Sequence, residues 1–302
     1  LLGRCLQGMG SCAGAILSNA SVRDAFPLHQ RGRTYAFINA AFAISPGIAP
    51  IIGTFISQWY SWRAHFLLLL VMSVLLLIAV YLFYPETNIH KDPEALQWHR
   101  IKKSYSALWE DPYFVYYILV MGMCIGIVYA CLTEAPALAL IQMALPPHAV
   151  TIIALGVMFG FIIGSLMASQ LVRIYKPNTI IVLGLSVILI TAMIMGLCVY
   201  FDYVTLFSML SPIIVIFSGI ALVHPMGMTQ ALIPFESMAG VASACVGFTQ
   251  MALASMGTIL ISIIRNDTAH AMPMTFVILS GIGLCIFMAF VLNRPNQARV
   301  YY

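Results

Sequence analysis

Nine long apolar runs divide this chain, and no other feature limits its fold so severely. The clearest is Phe66 to Tyr84, whose only interior polar residues are Ser73 and Tyr81. Others run at about 113–135, 150–172, 179–200, 204–226, 241–264 and 274–292, after two earlier ones at 37–58 and ending near Val22. A bilayer core about 30 Å thick takes roughly 20 apolar residues per helix. Each run is therefore long enough to cross as a helix, and too long and continuous to be a barrel strand. The expected fold class is an all-α polytopic membrane protein.

Composition leads to the same solvent. Hydrophobic residues make up 62% of the 302 and charged ones only 8%, against roughly a quarter charged in soluble domains. A water-facing globule cannot hide that much apolar surface. A net charge of +4 would suit a polyanionic partner, but its placement points elsewhere. With the segment between the first two runs on the cytoplasmic side, eleven basic residues fall in inner loops: Arg23, Arg31, Arg33, Lys91, Arg100, Lys102, Lys103, Arg173, Lys176, Arg294 and Arg299. The outer loops hold Arg63 and Arg265, and Arg4 remains within the first run. This asymmetry is the positive-inside rule. It puts the C-terminus in the cytoplasm, and no nucleic-acid partner is expected. The seven cysteines lie in apolar runs without ligand spacing, so they read as packing residues rather than metal ligands or disulfides.

From Pro85 to Asp111 the chain turns polar, with charges of both signs, long enough for a short amphipathic helix on the inner surface. Residues 1–84 are read as helices of an N-terminal bundle, 85–111 as a cytoplasmic linker and 112–302 as a C-terminal six-helix bundle. Phe26-Pro27 followed by Gly32 has an echo in Ile233-Pro234 followed by Gly240. Placed on either side of the linker, the two copies favour parallel repeats of the kind seen in transporters.

Several motifs carry a family likeness. GRCLQGMG (Gly3 to Gly10) has an Arg, two spacers, Gln-Gly and a further Gly; SPGIAPIIGTF (Ser45 to Phe55) has paired prolines among small residues. SWRAHF (Ser61 to Phe66), YPET (Tyr84 to Thr87), LWEDPYF (Leu108 to Phe114) and MAGVASACVGFTQ (Met238 to Gln250) follow in order. Together they resemble the Bcr/CflA type of drug-resistance transporter in the major facilitator superfamily. The resemblance implies the major facilitator fold with nine of its twelve helices present, three of the first half and six of the second. The first three helices are expected to be missing ahead of Leu1. Ala49 before Pro50 and Thr54 after Gly53 stand where the antiporter motif usually has glycine.

The same resemblance gives Arg4 a place in the central cavity, holding a carboxylate or helping proton coupling, with Gln7 one turn on sharing its hydrogen bonds. An unpaired guanidinium in hydrocarbon costs several kcal/mol; the plainer reading has Arg4 near a chain end, reaching water along its aliphatic stem. In the group Pro46, Gly47, Pro50 and Gly53 the two prolines bend one helix by removing two of its hydrogen bonds; in the family this segment is held to seal the outer gate or limit proton leak, and the plainer reading is a packing kink. Glu134 is the acidic residue that a generous span assignment places in the membrane, about 31 Å along its helix and near the outer mouth. There it suits the exchange of a proton for a cationic substrate, or else caps the helix in solvent before Pro136. Gly156, Gly160, Gly164 and Ala168, like Gly10, Gly14 and Ser18, keep a four-residue period that brings helix backbones together in lipid. His224 reads as a hydrogen-bonded packing residue near the inner end of its helix.

No Walker loop, zinc motif or Ser/His/Asp arrangement occurs. The expectation is thus not an enzyme but a proton-coupled exporter (antiporter) of a small amphipathic compound such as a drug. It would work by alternating access in the bacterial inner membrane, as a monomer, with no metal and no cofactor, driven by the proton gradient. Its partners would be the small-molecule substrate, protons and the lipid bilayer. A facilitator-fold nutrient importer and a truncated, non-transporting remnant are the alternatives.

Overall fold

The computed structural model describes residues 3, 5–11, 14, 21–22, 45, 48–49, 51–84, 97–146, 148–264 and 269–293. About half of each of the apolar runs expected up to Val22 and over 37–58 lies outside them. No strand occurs among the described residues, and seven helices are long and apolar enough to cross a membrane. The chain forms two compact units, residues 1–101 and 102–302.

In the first unit a helical stretch over 51–59 turns at Tyr60–Trp62 into helix α1 (Arg63–Phe83). The turn is tied by Ser57 Oγ to His65 Nε2 at 2.9 Å, and the Arg63 guanidinium stands 4.9 Å from the Trp62 ring centre. Nothing in α1 is buried, and Leu76 and Leu77 stay 65% and 69% exposed. Water would penalise such a leucine-covered surface heavily, whereas acyl chains do not.

Helix α2 (Trp98–Glu110) is short and polar on one face. It leads directly into the first spanning helix of the second unit, α3 (Pro112–Ala137). Asp111 caps that helix, its Oδ1 accepting from the backbone N–H of Tyr113 at 2.7 Å and of Phe114 at 3.2 Å. Pro112 at the first position has no N–H to leave orphaned. Then come α4 (His148–Leu171), α5 (Pro177–Tyr200), α6 (Leu206–Leu232), α7 (Ala239–Ile264) and α8 (Ala271–Asn293). Thr205 and Ser208 close the start of α6 with reciprocal backbone bonds of 3.1 and 2.9 Å.

Two helix ends differ from the sequence expectation. The run placed at 113–135 continues through Pro136 and then widens into a π turn at Leu138–Gln142. The run placed at 204–226, which already contains Pro225, continues to Leu232 and into a 3₁₀ segment, Ile233–Met238. Proline deletes one backbone bond, but in a bundle neighbouring groups and local 3₁₀ or π adjustment satisfy the freed carbonyls, so the helix survives.

Helices α3 and α6 form the middle of this unit; α7 and α8 pack on α3, α4 and α5 on α6. Glycines set how close they come. A methyl group built on Gly160 would sit 2.6 Å from the carbonyl oxygen of Ile214 and 2.8 Å from Phe217 Cβ, and one on Gly164 would strike Ser218 and Ala221. Gly156 faces Leu210 in the same way. On the other side of α6, Gly184 and Gly219 lie against each other's backbone, and Gly257 of α7 meets Gly126 of α3. By contrast, a methyl on Gly247 meets no described atom within 4 Å. We therefore expect Gly160→Ala and Gly164→Ala each to lower the melting temperature in detergent, through an overpacking cost of about 1–3 kcal/mol. Gly247→Ala should hold or raise it, since alanine is the better helix former by up to about 1 kcal/mol.

Candidate functional site

Buried polar side chains are few in the C-terminal unit, and two of the buried hydroxyls are satisfied within their own helix. Thr275 Oγ1 donates to the carbonyl of Ala271 at 2.8 Å and Ser280 Oγ to that of Phe276 at 2.6 Å. Groups that titrate, or that reach across helices, therefore stand out.

Glu134 is the first of these. It is only 2% exposed, and its neighbours one turn away, Ala130 and Cys131 on α3 and Leu138 at the start of the π turn, are buried as well. Because the helix continues to Gln142, Glu134 lies eight residues before that end, about 12 Å at 1.5 Å per residue. The solvated cap before Pro136 that the sequence allowed is therefore excluded. What the structure has instead is a carboxyl group inside an apolar bundle, a placement that in membrane proteins marks ion and proton paths.

A second polar group joins three helices. His224 Nε2 of α6 lies 3.1 Å from Gln250 Nε2 of α7, and the same amide nitrogen is 4.0 Å from Met121 Sδ of α3. Gln250 is 9% exposed and His224 half-buried. A third contact between helices, Tyr117 Oη donating to Asn178 Oδ1 at 2.6 Å, ties α3 to the start of α5. Sequence reasoning treated His224 alone. Its partner appeared only as the last letter of MAGVASACVGFTQ, and a separation of 26 residues in the chain leaves no periodic signal.

The remaining expected residues lie elsewhere. Arg4, Pro46, Gly47 and Pro50 fall outside the described residues. Gln7 is exposed on a helical segment of the first unit. Gly53 sits 3.9 Å, measured from a built methyl, from His65 of α1, while Gly10 and Gly14 have no described atom within 4 Å. Gln7 and Glu134 belong to different compact units. Among the described residues no group of three or more His, Cys, Asp or Glu side chains could hold a metal ion, and the six described cysteines are unbridged.

The sequence profile of the Major Facilitator Superfamily matches residues 1–258. The chain belongs to the Major Facilitator Superfamily. It is 22% identical over 293 residues to a bicyclomycin resistance protein homolog of Haemophilus influenzae, covering 97% of this chain and 73% of that one. To the multidrug resistance protein MdtL of Salmonella heidelberg it is 24% identical over 301 residues, 99% of this chain and 73% of that protein. A chloramphenicol resistance protein of Pseudomonas aeruginosa is 22% identical over 270 residues, 88% and 63% of the two chains. As a major facilitator protein the chain is a multi-pass bacterial membrane transporter of small molecules and not an enzyme.

If Glu134 is kept for transport rather than for folding, removing its charge should cost the bundle nothing. Glu134→Gln, of the same shape, is expected to melt no lower than the parent protein in detergent. Glu134→Ala leaves a void and should lose about 1–3 kcal/mol. Thermal unfolding followed by tryptophan fluorescence separates the two.

Proposed function

We propose that this protein exports small amphipathic compounds, drugs among them, across the bacterial inner membrane by proton antiport. Its two helix bundles alternate access between the two faces. The observation that carries the reading is Glu134, a carboxyl group buried in the apolar core of the C-terminal bundle. Support also comes from relatives whose names record resistance to bicyclomycin and chloramphenicol.

In this scheme Glu134 takes a proton from the outer side as the substrate departs. It gives the proton up to the inner side, where a cationic substrate then finds a carboxylate. Arg4 and Gln7 supply the polar counterpart in the N-terminal half, and Pro46, Gly47, Pro50 and Gly53 form the bent segment that closes the outer path. The proton gradient supplies the energy, so no cofactor takes part. The protein works as a monomer with its C-terminus in the cytoplasm, in keeping with the basic residues of the inner loops.

The test is ethidium accumulation in everted membrane vesicles from a strain stripped of its own pumps, with the protein expressed from its complete reading frame. Respiring vesicles should accumulate ethidium until a protonophore is added. Glu134→Gln should cut the rate by about tenfold or more, in line with loss of an essential proton-transfer group. Accumulation that ignores the protonophore, or a Glu134→Gln rate equal to wild type, would overturn the reading.

A further inference from the structure

We propose that His224 and Gln250 form a second proton-handling site, in the inner part of the C-terminal bundle, where a proton on the imidazole turns the Gln250 amide and frees Met121. The proposal rests on the reading of the protein as a proton-driven exporter, and it concerns groups which that scheme leaves unused. Histidine is the side chain whose charge changes near neutral pH, and an ionisable group within a membrane span marks a functional path. His224 lies eight residues before the end of α6 at Leu232, about 12 Å at 1.5 Å per residue. It is half-buried while its partner is enclosed, and its Nε2 is the atom that faces Gln250.

The atoms define two states. With Gln250 Nε2 donating, His224 Nε2 must accept through its lone pair, and the ring is neutral there. A proton added at Nε2 makes that nitrogen a donor, which faces an amide N–H and is repelled. Turning the amide end for end presents Oε1 instead and restores the bond. The same turn withdraws the amide N–H from Met121 Sδ, a weak contact at 4.0 Å. Release of the proton reverses each step, and no other bond forms or breaks.

Met121 is where this reaches the packing. Its Cγ would lie 2.8 Å from a methyl built on Gly227, so the thioether covers that glycine on α6, next to Pro225, whose missing N–H makes α6 easier to bend. Titratable groups at this level are Cys124 and Tyr117 on α3 and Cys245 on α7, with Tyr117 bonded to Asn178. The faces of α4 and α5 that meet α6 present Gly156, Gly160 and Gly164, and Gly184 and Ile188. Glu134 is 13 residues from Met121 along α3, about 20 Å. No described carboxylate faces the imidazole, so the amide is the group that must answer its charge.

The test is the pH profile of ethidium accumulation in everted vesicles, varied on the outer, cytoplasmic-face side from about pH 5.5 to 8.5. Wild type should show a limb in this range that His224→Gln abolishes while KM stays within about twofold. Gln250→Met keeps the histidine and removes the amide, and should shift the midpoint of that limb by about half a unit or more. A His224→Gln profile that superimposes on wild type, or that falls by one factor at every pH, refutes the site. If His224→Gln yields no folded protein, an unmoved midpoint in Gln250→Met refutes it equally. Glu134→Gln run in parallel separates the claims. Loss of coupling there with an unaltered limb in His224→Gln leaves the exporter standing without this site. Transport insensitive to a protonophore in wild type removes both.

Discussion

Backbone contact at glycine holds the C-terminal unit together, because in hydrocarbon there is no hydrophobic gain in moving leucine from lipid to protein. Helices associate only where they touch closely and over enough length for dispersion to add up. Helix α6 is gripped on two sides in this way, by the Gly156–Gly160–Gly164 ladder of α4 and by the Gly184–Gly219 crossing with α5. On the other half of the unit, α3 meets α7 through Gly126 and Gly257. The large side chains that remain, Phe114, Phe217, Phe276 and Phe287, fill the space between these crossings.

Such packing leaves little room for polar atoms, and this gives the few present their meaning. The buried hydroxyls of Thr275 and Ser280 are answered by the carbonyl one turn back and require nothing from a neighbour. Glu134 and the His224–Gln250–Met121 group are different, since Glu134 is enclosed on its face of α3 and His224 reaches from α6 to a glutamine of α7. Both groups also sit beside a proline in a helix that nevertheless continues, Pro136 in α3 and Pro225 in α6. A helix missing one backbone bond is easier to bend there. Proton uptake next to such a point is well placed to act on the packing of the bundle.

The apolar runs made the spanning helices legible because lipid selects composition over about 20 residues, a signal that needs no partner to be read. The four-residue spacing of Gly156, Gly160 and Gly164 was visible as well, though not that α6 was the helix it would meet. The crossings at Gly184–Gly219 and Gly126–Gly257 carry no spacing at all, as each depends on a single glycine opposite another. The helix end placed at 135 was misread at Pro136, where proline is a stop signal in water but not inside a bundle; the run that already contained Pro225 merely extends further, to Leu232. That error had a consequence, because a helix ending at Pro136 leaves Glu134 at a rim, while one continuing to Gln142 encloses it. Gln250 went unnoticed as a partner for His224 because hydrogen bonding between two helices depends on their packing, which neither local sequence encodes.

The central claim is exchange of a proton against an organic substrate, and proteoliposomes holding the purified protein and a trapped pH dye measure it most directly. An ethidium gradient, imposed with no starting pH difference, should drive protons in the direction opposite to ethidium, with the signal absent from liposomes without protein. Ethidium movement without any pH change, or protons travelling in the same direction as ethidium, would contradict the account.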